Sequence, residues 1–143
     1  MNAAPNRRLL VGGMVLLFLS LVLGFFLPLF TNPRIGLSAH QVGITGGILI
    51  VVIGMAWEHA DLRTKAARVA EALVLVGPFG IALSCVGAAV FGTSRATPIA
   101  GAGFAGARWQ EISVSIGLML GSIAMLIAVF LLLLGFLRRR RAA

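Results

Sequence analysis

The chain has 143 residues, 59% of them hydrophobic and 11% charged, with a mean hydropathy of +1.04 and a formal net charge of +8. An ordinary soluble domain is roughly half apolar and about a quarter charged, so most soluble readings are excluded. The apolar residues fall into four blocks, Leu9–Phe30, Leu37–Trp57, Val69–Phe91 and Ile112–Leu137. Each is long enough to cross a bilayer core, which takes about 20 helical residues. The expected fold is therefore all-α, an integral membrane four-transmembrane-helix bundle, with residues 1–143 forming a single membrane domain. Too little chain remains outside the spans for a second folded domain.

The net charge belongs to topology and not to nucleic acid. Arg7, Arg8, Arg63, Lys65, Arg68 and Arg138 to Arg141 place nine basic residues on one side of the spans. Arg34, Arg95 and Arg108 place three on the other. The positive-inside rule then sets both termini and the 58–68 loop in the cytoplasm, as expected for a multi-pass protein of a bacterial inner membrane. The Arg138–Arg141 run reads as a stop-transfer anchor. The first span is too long for the apolar core of a cleaved signal.

Span 1 carries no charge, and Pro28 stands near its outer end. The turn Thr31-Asn32-Pro33-Arg34-Ile35-Gly36-Leu37 follows. Ser38 and Gln41 then form a capping-box pattern, which would start the second helix at Ser38 and put His40 in its first turn. His59 falls in the short cytoplasmic loop and reads as a solvated histidine. Trp57 and Trp109 stand at bilayer boundaries as anchors. Glu71 lies just inside span 3 and is expected to pair with Arg68 one turn earlier. Cys85, the single cysteine, reads as a small packing residue. The second outer loop, residues 92–108, has four glycines and no acid. It is too apolar for a solvated linker, so it is expected to fold over the helix ends as a lid or wall. Small residues at four-residue spacing (Gly43 and Gly47; Gly80, Ser84 and Ala88; Ser113, Gly117 and Gly121) let helices approach closely.

His40 is the leading functional candidate, because an ionisable side chain in a spanning helix is functional by default. With Gly43, Ile44 and Gly47 it shares one helical face. The two glycines would leave a bare strip on which a flat cofactor could lie. An imidazole at a helix start is disfavoured as a cation, which suits it to donate a lone pair. The alternative at this point is a histidine hydrogen-bonded at the membrane interface. No second ligand accompanies it, so a single-chain zinc site is not expected.

Thr31-Asn32-Pro33-Arg34-Ile35-Gly36-Leu37-Ser38-Ala39-His40, followed by Gly43, Gly46 and Gly47, resembles the first outer turn of bacterial hydroxylaminobenzene mutases. Ala89-Val90-Phe91-Gly92-Thr93-Ser94-Arg95-Ala96-Thr97-Pro98-Ile99-Ala100 is similar to their second outer loop. More distantly, the chain resembles styrene oxide isomerase. The resemblance implies an isomerase that turns an arylhydroxylamine into an ortho-aminophenol. It also implies a homotrimer binding haem b between subunits, with His40, preceded by Ala39, as the iron ligand and Gly43 and Gly47 beside the cofactor. Lewis-acid polarisation of the substrate oxygen would be the mechanism. The distant relative also uses an Asn where this chain has Gly46, and a tyrosine and an acid in its third helix. This chain has no tyrosine, and its third span offers Ser84 and Cys85. Arg34, Gln41 and Arg95 are the candidates to position a small aromatic substrate instead. An aryl-epoxide isomerase stands as an alternative, as does a non-catalytic membrane subunit. A small multidrug-type exporter would need a membrane-embedded acid, and Glu71 is peripheral.

Overall fold

The computed structural model describes residues 5–141, with side chains to Arg138. The side chains of Arg139 to Arg141, part of the expected anchor, lie outside those described. Helix α1 (Arg7–Leu23) runs into a 3₁₀ segment (Gly24–Leu29) that contains Pro28. Helix α2 (Pro33–Ala56) ends in a 3₁₀ turn (Trp57–His59). Helix α3 (Thr64–Phe91), the short α4 (Pro98–Gly101) and the long α5 (Arg108–Arg141) complete the chain. Four of these helices are long and apolar enough to cross a membrane.

Local chemistry sets the ends. Asn6 caps α1, its Oδ1 accepting from the N–H groups of Arg8 and Leu9. Asn32 caps α2 in the same way, and Pro33 follows at the first helical position, where its missing N–H costs nothing. The capping role expected of Ser38 is therefore corrected: Ser38 lies inside α2, and its hydroxyl donates to the Arg34 carbonyl at 3.3 Å. His40 stands two turns into the helix, beyond reach of the terminal dipole, which fades within the first turn. Helix α3 stops at Gly92, which adopts φ 66° and returns its N–H to Ala88.

The helices pack in chain order, α1 on α2, α2 on α3 and α3 on α5. Among the described residues the backbone of α5 makes no close approach to that of α1 or α2, and α1 meets α3 only lightly. By backbone neighbours the four spans thus follow one another as an open row, with residues of all four contributing to one core cluster. Small residues make the closest approaches. A Cβ on Gly47 would lie 2.8 Å from the Gly13 carbonyl oxygen, and one on Gly121 would lie 3.0 Å from that of Gly77. Leu9, Leu16, Ile50, Val74, Ala128 and Leu132 form the inner part of the core. Ile35, Ala88, Ala89 and Val114 form a second cluster under the outer loop. Many other large apolar side chains, Phe18, Phe25, Leu83 and Leu126 among them, face outward, as suits spans surrounded by lipid.

At the inner end, the Asn6 N–H bonds the Gly54 carbonyl and the Asp61 N–H bonds that of Gly135. Glu71 pairs with Arg8 of α1 at 3.9 Å, correcting the expected partner Arg68. His59 is exposed and lies 3.6 Å from Glu58. Cys85 is buried and free, as a packing residue should be.

Candidate active site

The outer end is built from the first outer turn and the second outer loop, bonded to each other. Thr31 Oγ1 donates to the Val90 carbonyl at 2.7 Å, and the Asn32 N–H donates to that of Ala89 at 3.0 Å. The Asn32 side chain reaches the other way. Its Nδ2 donates to the carbonyls of Gly101 and Ala100 at 3.1 and 3.4 Å, closing the end of α4 onto α2. The loop folds over the helix ends as its composition required.

Glu111, in the first turn of α5, holds this loop from the opposite side. Its Oε1 accepts from the Ser94 and Gly106 N–H groups, both at 3.0 Å, and its Oε2 from that of Arg95 at 2.9 Å. Sequence reasoning missed this residue, which fell between the expected loop and the expected span. Its signal was the acid in the first turn of a helix, where the dipole favours one. Next to it, Gln110 accepts from the Ala107 N–H at 2.7 Å, half of a capping box. Trp109 meets Phe91 edge to face at 5.5 Å.

His40 points toward α1. Its Nδ1 lies 2.6 Å from the Ser20 carbonyl oxygen. A carbonyl only accepts, so Nδ1 carries the proton, and in the neutral ring the lone pair is on Nε2. The ring lies on Gly24, where an added Cβ would stand 2.8 Å from His40 Cε1. Ser20 is itself fixed, its hydroxyl donating to Leu16. Beside it, an apolar crevice of about 290 Å³ opens between α1 and α3 over Ala39, lined by Leu16, Leu23, Phe79 and Val86.

The bare surface expected along Gly43 and Gly47 is closed within the chain. Ser20 fills the space at Gly43, and Gly13 and Leu17 fill it at Gly47. No strip remains there for a flat group to lie on. Arg34 and Ser38 line a groove of about 480 Å³ opposite Ala96 to Ala100. Gln41 follows Arg34 two turns along the same face of α2, and its side chain is exposed. Arg95 lies at the start of the loop, with its backbone held by Glu111 and its side chain exposed. The structure thus brings Arg34 to a groove and leaves Gln41 and Arg95 outside its lining. Among the described residues no cluster of three or more His, Cys, Asp or Glu could hold a metal ion.

The profile of the styrene oxide isomerase family matches residues 5–137. The chain belongs to that family, and with it to the isomerases. Hydroxylaminobenzene mutase HabB of Ectopseudomonas oleovorans is 35% identical over 94% of this chain and 82% of its own length. HabA of the same organism, also a hydroxylaminobenzene mutase, is 31% identical over 91% of this chain and 97% of its own length. No solved structure matches.

Proposed function

We propose that the chain is a membrane isomerase that rearranges hydroxylaminobenzene to 2-aminophenol. Similarity to two mutases over most of the chain supports the substrate. The reaction moves the hydroxyl from nitrogen to the ortho carbon. That carbon loses a proton and nitrogen gains one, so the formula is unchanged and no external reductant is needed. The aryl-epoxide alternative fits the same site and differs only in the oxygen-bearing substrate.

The observation that carries the site is the fixed imidazole of His40. A ring whose Nδ1–H is given to a carbonyl presents Nε2 in a set direction, the usual arrangement of a metal-ligating histidine. This donor suits the iron of haem b, and His40 would be the residue that holds it; the closed Gly43–Gly47 face does not fit as a bed for the ring. When bound, haem supplies a Lewis acid that polarises the substrate oxygen. The chain's own residues do the rest. Ser20 holds the ring of His40 still. The leucines and phenylalanines about α1 and α3 keep water from a reaction that develops charge. Arg34 in its groove takes the polar end of the substrate, while Gln41 and Arg95, exposed outside that lining, stay as candidate positioning groups. We further propose a homotrimer with the haem between subunits. The open row supports this, because its outer faces are left to lipid or to a second copy. The charge asymmetry supports cytoplasmic termini in a bacterial inner membrane.

The test is direct. Membranes containing the protein should convert hydroxylaminobenzene to 2-aminophenol, and the purified protein from haem-replete cells should show a Soret band that His40→Ala abolishes. Membranes that form no aminophenol would sink the mutase reading. A colourless active protein would sink the haem assignment alone.

A further inference from the structure

The second outer loop is irregular for most of its length, yet its two ends meet at one side chain. Both carboxylate oxygens of Glu111 are engaged, by Ser94 and Arg95 where the loop leaves α3 and by Gly106 where it enters α5. Between those anchors the loop supplies Ala96, Thr97, Pro98, Ile99 and Ala100, one whole wall of the groove that faces Arg34 and Ser38. Asn32 pins the far end of α4 through Ala100 and Gly101. The wall therefore has two fasteners, one on α2 and one on α5.

We propose that Glu111 is a positioning residue: it fixes the Ala96–Ala100 wall against Arg34 and so sets how well the groove captures an aromatic substrate with a polar N–OH end. Three backbone donors converge on a group that only accepts. An amide in its place keeps one acceptor oxygen and turns an NH₂ toward the remaining donors, so one end of the loop must come away. The chemistry at His40 is fastened separately, by Ser20 and Gly24 of the first helical segment. Loosening the wall should therefore weaken capture and spare turnover.

The kinetic half of this rests on the mutase reading; the geometric half does not. Cys85 is the single cysteine and is buried, so a Cys85→Ala background lets a spin label at Ala105→Cys report the loop alone. In the full chain, Glu111→Gln should mobilise the label and raise KM for hydroxylaminobenzene about tenfold with kcat and the Soret band unchanged, the pattern of lost ground-state binding. Gln110→Ala, which disturbs only the start of α5, should leave label and KM as they are. Should Glu111→Gln fail to accumulate, Glu111→Asp, one methylene shorter, reaches one end of the loop and takes its place. An immobile label in the Glu111 variant overturns the clamp. A mobile label with unchanged KM overturns the positioning role. A wild-type protein that makes no aminophenol defeats the mutase reading instead, and the label still decides the clamp.

Discussion

At Asn32 one buried amide joins three pieces of the outer end. Its oxygen caps α2, its nitrogen holds α4, and its backbone N–H closes on α3. The two kinds of bond can be separated. Asn32→Ala loses the cap and strands two carbonyls, for about 1–3 kcal/mol of stability from the cap and the unmet acceptors together. Asn32→Asp keeps the capping oxygen but turns a second oxygen toward the carbonyls of Ala100 and Gly101. It should retain most of the thermal stability in detergent while the 94–107 loop becomes open to limited proteolysis. Equal proteolysis of Asn32→Asp and wild type would show that Nδ2 does not hold α4. In the sequence Asn32 read only as part of a turn. Its side-chain partners lie sixty-eight and sixty-nine positions away, so no local pattern could reveal them.

Between helices, glycine placement divides into contacts that matter and positions that are free. A methyl at Gly47 would strike the Gly13 carbonyl, a backbone atom that cannot swing aside. At Gly80 the nearest atom to a new Cβ is 3.9 Å away. Gly47→Ala should therefore cost about 1–3 kcal/mol by overpacking. Gly80→Ala should be neutral or gain up to about 1 kcal/mol from helix propensity. Thermal unfolding of the two variants in detergent checks the contrast, and equal melting temperatures would refute it. The spacing of small residues was legible in the sequence, as were all four spans and the end of α3 at Gly92. The start of α2 was not, because Pro33 after Asn32 serves equally as a turn signal and as the first residue of a capped helix. Nor was Glu111, whose three donors are backbone groups of an irregular loop. The glycine face beside His40 was visible in the sequence, but its covering by Ser20, Gly13 and Leu17 depended on how α1 docks.

Over the whole molecule, charge and packing point the same way. One end gathers Arg7, Arg8, Arg63, Lys65, Arg68 and Arg138, while Arg34, Arg95 and Arg108 stand at the opposite end. If the charge asymmetry orients the chain as proposed, a fluorescent protein fused after Ala143 should fold and emit, and alkaline phosphatase at the same point should be inactive. The reverse pattern would overturn the orientation. The open row also bears on how the protein is made. Each later spanning helix packs on the spanning helix synthesised before it, so α2 can settle on α1 and α3 on α2 while the rest is still on the ribosome. After the first, no span must wait for a partner that is made later. Assembly in the order of translation is open to such a row at every step, with no closing contact left to wait for the last span.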